Sequence, residues 1–210
     1  MTEPVSLPFA HLNLTRNPFG EPAPGERSRL AVLEMDIEAV VAQLRASTFA
    51  IEFSGDAGRG KSTHLRGLHR YFPDAPFIYF ADGAPLPEIP ESPVLFLDEL
   101  QRLPKPHRTR LFKRRVSFVV GTHAPFTAEY TSAKLEFIAI ELRGLSPARL
   151  RKILEARMRW AQRDVSKPVS QFTEAALEHL IQKFGDDLRA IEHFLYEHFQ
   201  TLTETGNVEV

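Results

Sequence analysis

An α/β fold built on a parallel sheet, followed by a smaller all-helical region, is predicted by two features of the 210-residue chain. Short, nearly continuous apolar runs alternate with helical segments as far as Leu142, and beyond it only helical periodicity remains. Strands buried on both faces read as unbroken apolar runs, and their alternation with helices is the pattern of a layered core. The expected organisation is an irregular arm over 1–32, an α/β core over 33–144 and a helical subdomain over 145–210.

The elements follow in order. Residues 1–32 are rich in Pro, Gly and polar side chains. Leu33, Ile37, Val40, Val41 and Leu44 then fall on one 3.6-period face and predict a helix. Thr48–Phe53 is a β-type run that feeds through Ser54 into a glycine-rich loop. A helix is expected from about Gly60 to Phe72, with Pro73 beyond its end. Further strands are predicted at Phe77–Phe80, Val94–Leu97, Val116–Val120 and Leu135–Leu142, which makes five. In the helical region Ser146 and Pro147 form a cap and first-turn pair. Thr173 caps a second helix, with Phe172 and Leu177 as a hydrophobic staple. Gly185 ends that helix, and Asp186 is expected to cap a third that carries Leu188, Ile191 and Leu195.

Composition narrows the function. The chain has no cysteine, which excludes disulfides, thiolate metal sites and cysteine nucleophiles. No apolar run approaches the roughly 20 residues that span a bilayer, and the first residues lack the basic and apolar regions of a signal peptide. A cytoplasmic setting is expected. The formal net charge of −1 gives no global attraction to nucleic acid, so any such contact needs a local patch.

The residues Gly55, Asp56, Ala57, Gly58, Arg59, Gly60, Lys61 and Ser62 match G-x-x-x-x-G-K-[ST] in full, with Thr63 following. Glycines let backbone N–H groups converge on phosphate oxygens at a helix N-terminus. Lys61 is then placed for the β- and γ-phosphates, and the Ser62 hydroxyl for Mg²⁺. The run Val94–Leu97 ends in Asp98 and Glu99. A buried strand delivering Asp98 at its C-terminal end supplies a carboxylate that supports Mg²⁺, and Glu99 is a candidate to orient an attacking water. The predicted fold is therefore a P-loop NTPase three-layer sandwich with a five-stranded parallel sheet and a small C-terminal helical lid. No Asn-Lys-x-Asp motif reads guanine, so ATP is the expected nucleotide. H-E-x-x-H and G-x-S-x-G motifs are absent.

With these motifs the chain resembles the AAA+ family of P-loop ATPases, in particular small bacterial members that assist transposition, load replication initiators or serve secretion. The resemblance covers about residues 13–203. It implies ATP and Mg²⁺ as ligands, hydrolysis of ATP, and a switch in assembly or partner binding. Thr122, after the strand Val116–Val120, is similar to the family's sensor 1 position. The run Gly185–Arg189 is similar to the start of the sensor 2 helix, which implies that Arg189 reaches the γ-phosphate. Asn17-Pro18-Phe19 resembles a stretch that packs near the adenine. Two departures stand out. Only the twelve residues Asp82–Pro93, four of them proline, separate the second strand from the third, so the family's intervening helix is not expected. No arginine lies between Thr122 and Leu142, where the family places its finger. Low turnover without a partner follows from that absence. A nucleotide-held adaptor without hydrolysis, and a P-loop kinase or other phosphotransferase, are the rival readings.

Arg102, Lys105, Arg108, Arg110, Lys113, Arg114 and Arg115 put seven cations in fourteen residues with no acid among them. This segment is a candidate surface for nucleic acid or for an acidic partner, and its rival is a solvated helix face. A protein partner or a homo-oligomer is expected.

Overall fold

The computed structural model describes residues 8–33 and 35–210. The expectation of no signal peptide rests on residues that lie largely outside this range. The helices are α1 (Pro24–Arg27), α2 (Ile37–Ala46), α3 (Lys61–His69), α4 (Lys105–Leu111), α5 (Thr127–Ser132), α6 (Pro147–Ala161), α7 (Glu174–Phe184) and α8 (Leu188–Thr201). The strands are β1 (Phe49–Ser54), β2 (Phe77–Tyr79), β3 (Val94–Asp98), β4 (Ser117–Thr122), β5 (Glu136–Glu141), β6 (Gln171–Phe172) and β7 (Asn207–Val208). Two compact units result, one of Leu33–Arg143 and one of Met1–Val32 with Gly144–Val210.

The first unit is a five-stranded parallel sheet in the order β2-β3-β4-β1-β5. Successive side chains of a strand point to opposite faces, and the core divides accordingly. Val94, Phe96, Val119, Ile51 and Phe53 pack with Val40 and Leu44 of α2 and Leu65 and Leu68 of α3. Leu95, Leu97, Phe118, Val120 and Ala50 pack on the other face with Leu111 of α4 and Tyr130 of α5. Helices on both faces make the three layers. The segment Asp82–Pro93 holds no helix, as its prolines require.

Element ends differ from expectation for local reasons. Helix α2 starts at Ile37, because the Asp36 carboxylate accepts the Ala39 N–H at 3.0 Å and so fixes the cap there. Helix α3 closes at His69, and Tyr71 and Phe72 continue only as tight turns onto Leu68 and His69.

One charged residue stands inside β1. Glu52 is fully buried and accepts the Phe126 N–H at 3.0 Å and the Tyr130 hydroxyl at 2.8 Å. Burial raises its pKa, with these two hydrogen bonds opposing, and burial likewise lifts Tyr130 well above the usual phenol value. An ion pair ties α4 to α5, where Arg108 donates to both Glu129 oxygens at 2.7 and 3.1 Å and also to the Leu103 carbonyl. Both side chains are less than one-fifth exposed. Arg108 is thus committed to the protein itself, which removes it from the expected partner surface.

In the second unit α6, α7 and α8 enclose a core of Leu150, Leu154, Met158, Leu177, Ile191 and Leu195. Ser146 and Thr173 cap their helices as expected. Asp186 does not. Asp187 is the cap of α8, accepting the Ala190 N–H at 3.0 Å, while Asp186 accepts the Leu145 N–H and lies against Gly144. Residues 8–32 belong to this unit. Leu12, Leu14 and Phe19 enter its core, Phe19 edge-on to Phe172 and Phe199, and Asn17 donates to the Tyr196 carbonyl at 2.9 Å.

Two stability measurements check these buried charges. Arg108→Ala is expected to cost about 3 kcal/mol in urea unfolding, because Glu129 is left desolvated without its partner. The raised folded pKa of Glu52 makes its contribution full below the unfolded value of 4.5 and progressively lost as pH rises through the folded value. Glu52→Gln is therefore expected to gain stability relative to the parent chain as pH rises above about 4.5, with the smallest difference at the acid end.

Candidate functional site

The C-terminal ends of β3, β4 and β1 lie side by side, with Leu97 opposite Val120 and Thr122 opposite Ser54. Ligands of open parallel sheets bind beyond such strand ends. Here β1 passes through Gly55–Gly60 into α3. Gly55, Gly58 and Gly60 have φ of 143°, 81° and 89°, in the region that favours glycine. A Cβ on Gly55 would also stand 2.8 Å from the Leu142 carbonyl oxygen. Glycines in such conformations let a loop turn its backbone N–H groups toward an anion at a helix N-terminus.

Lys61, the first residue of α3, is almost wholly buried and donates from Nζ to the carbonyls of Gly55 and Asp56, both at 2.8 Å. Burial lowers its pKa, against the opposing pull of Glu99, Asp98 and Asp56. The phosphate loop and the acidic pair therefore lie within electrostatic reach of one another. Ser62 is half-buried and Thr63 exposed beside it.

Asp98 ends β3 fully buried. Its Oδ1 accepts the Glu99 N–H at 3.1 Å, while Oδ2 is buried with no hydrogen-bond partner among the described residues. An orphaned buried carboxylate oxygen is costly unless a cation or donor reaches it. Gly121 of β4 makes room for it, since a Cβ there would lie 2.6 Å from Asp98 Oδ1. Among the described residues no three His, Asp or Glu side chains cluster as a metal cage. Mg²⁺ does not need one, because it is held by one or two protein ligands, by water and by substrate phosphates. Asp98 and Ser62 fit that donor set.

Glu99 adopts a left-handed backbone, φ 60° and ψ 37°, unusual for a residue with a side chain. Gln101 Nε2 donates to its Oε2 at 2.7 Å, Arg102 Nη2 lies 3.4 Å from the same oxygen, and His123 Nε2 lies 3.3 Å from Oε1. The Thr122 side chain is fully buried and donates to the Ala124 carbonyl at 2.9 Å, while its own carbonyl accepts the Gly55 N–H.

Residues 55–63, Asp98, Glu99 and Thr122 are thus brought together at one end of the sheet. Arg189 belongs to the other unit, where it is exposed in the first turn of α8. Gly121, Gln101 and His123 are site neighbours that motif spacing alone does not single out. Their only sequence signal is position, two after Glu99 for Gln101 and next to Thr122 for Gly121 and His123.

No protein-family model matches the chain, and no curated protein does. Solved structures do. An arginine-to-alanine variant of Thermotoga maritima RuvB is 17% identical with a TM-score of 0.50, covering 86% of this chain and 64% of that one. A second RuvB structure, described as a Holliday junction branch migration motor, is 16% identical with a TM-score of 0.47, covering 82% of this chain and 59% of that one. NtrX from Brucella abortus is 12% identical with a TM-score of 0.37, covering 85% and 53%. The chain therefore spans less than two-thirds of the length of these structures. At such identity the first likeness shows the fold alone, a parallel α/β sheet with helices on both faces as in that RuvB structure. No helix among the described residues is long and apolar enough to cross a membrane.

Gly121→Ala tests the packing of the acidic residue. It is expected to weaken binding of a fluorescent ATP analogue at least tenfold with Mg²⁺ and much less in EDTA, as titration of the two conditions side by side will show.

Proposed function

We propose that this protein binds ATP with Mg²⁺ and hydrolyses it, slowly or on stimulation by a partner, to switch its assembly or partner binding. The observation that carries the reading is the buried, unpartnered Asp98 Oδ2 set beside a complete phosphate loop. Residues Gly55–Thr63 cradle the phosphates through backbone N–H groups, and Lys61 exchanges its two carbonyl contacts for phosphate oxygens.

Asp98 and the Ser62 hydroxyl hold the metal. When bound, Mg²⁺ neutralises charge that builds on the transferring phosphoryl group. Glu99 orients the attacking water and takes its proton once freed from Gln101 and His123. Thr122 couples β4 to the loop through its carbonyl. Arg189 keeps the role of γ-phosphate sensor on the strength of the resemblance alone. A cytoplasmic location and a role in DNA transactions stand as parts of the same proposal.

A specific observation also favours a second reading, an ATP-held adaptor without hydrolysis. Both oxygens of Glu99 are engaged by the protein's own side chains. Turnover separates the two. Glu99→Gln is expected to keep ATP affinity while losing about 100-fold or more in kcat. Lys61→Ala is expected to weaken ATP binding about 10- to 100-fold, the worth of one or two charge-assisted hydrogen bonds. Tight ATP binding with no phosphate release at any protein concentration would select the adaptor.

A further inference from the structure

Residues 82–93 and α4 form the walls of a groove that the nucleotide chemistry does not use. One cavity of about 350 Å³ is lined by Leu86, Ile89, Leu103 and Leu111, with Arg110 and Arg114 at its rim. A second cavity, of about 210 Å³, lies against it, sharing Leu86 and Pro87 and ending at Arg102. The larger one falls in the range of roughly 300–1,000 Å³ that ligand sites occupy. Leu86 is 46% exposed and Tyr79, whose hydroxyl meets Arg102, is 53% exposed. Such side chains beside a groove mark a contact surface more than scattered ones do.

The charges decide what fits. Of the seven cations in this segment, Arg108 is spent on Glu129 and Arg102 on the Phe80 carbonyl and Glu99. Arg110 is exposed and has no ion pair among the described residues. Arg114 meets only the Ile89 and Pro90 carbonyls. Asp82 at the far end of the smaller cavity is the one acid in the lining. An apolar floor with a basic rim complements a segment that carries a large apolar side chain flanked by carboxylates. A nucleic-acid backbone would meet Arg110 and Arg114 but leave the leucine floor uncovered.

We propose that this groove docks an acidic, apolar-anchored peptide segment of a partner protein, and that docking removes Arg102, one of the three side chains that hold Glu99. Arg102 is the link, since its Nη2 faces Glu99 at 3.4 Å while its side chain closes the smaller cavity. A partner carboxylate in that cavity competes with Glu99 for the guanidinium. This second half rests on the reading of Glu99 as the water-positioning acid. The docking surface does not.

The test begins with a displayed random-peptide library selected on the full chain, with Arg110→Glu and Leu86→Asp chains as counter-targets. The expected result is enrichment of sequences pairing a large apolar residue with Asp or Glu. A synthetic copy of the winning peptide, fluorescein-labelled, should lose at least tenfold in affinity on either variant, while ATP binding stays unchanged. Enrichment of no sequence class, equal affinity for the variants, or tighter binding of a duplex DNA probe with the same dependence on Arg110 would overturn the docking surface. The peptide should also raise ATP turnover severalfold. Bound peptide with steady basal turnover would overturn the link through Arg102. Bound peptide with no turnover under any condition would count against the hydrolase reading and leave the surface intact.

Discussion

Asp98 is carried to the end of β3 inside the protein, with one oxygen taken by the next backbone N–H and the other left without a donor. A carboxylate buried in this way is expensive unless a cation or a hydrogen-bond donor completes it. The arrangement depends on Gly121, because any side chain at that point of β4 would meet Asp98 Oδ1 at 2.6 Å. Parallel pairing of β3 with β4 and of β4 with β1 then sets Asp98 beside the loop that leaves β1. Gly55, whose N–H is bound by Thr122 and whose missing side chain admits the Leu142 carbonyl, completes the close packing of strand ends. Three strands and two glycines therefore define the site together, and none of them can move alone.

Glu99 shows a different physical situation. Its backbone is held in a conformation that few residues with side chains adopt, and its carboxylate is shared among Gln101, Arg102 and His123. Such strain is sustained by surrounding contacts and is typical of places where a residue has more than one arrangement. Arg102 belongs to two environments at once, the acid on one side and the cavity beside residues 82–87 on the other. No helix lies between β2 and β3, and residues of that segment line the cavity beside Arg102.

Much of this was legible in the sequence because the signals are local. Glycines at three positive-φ positions, a lysine at the start of a helix and apolar runs ending in acids all lie within a few residues of one another. What escaped depends on contacts between distant residues. Asp186 and Asp187 read as equally good caps in the sequence, and the Leu145 N–H, 41 residues away, engages Asp186. Arg108 reads as part of a basic patch until Glu129 is brought across by α5. The arm has no periodicity, yet Leu12, Leu14 and Phe19 fill the helical core, because irregular backbone can bury side chains without a repeating pattern. Gly121 is one glycine among eleven, and its role becomes visible only when Asp98 lies against it.

The most direct test of the account is calorimetric titration of the chain with a non-hydrolysable ATP analogue, in Mg²⁺ and in EDTA, beside Asp98→Asn. The account predicts tight binding in Mg²⁺ that weakens in EDTA, and a variant that binds alike in both. Absence of binding, or equal binding in Mg²⁺ and EDTA by the parent chain, would contradict it.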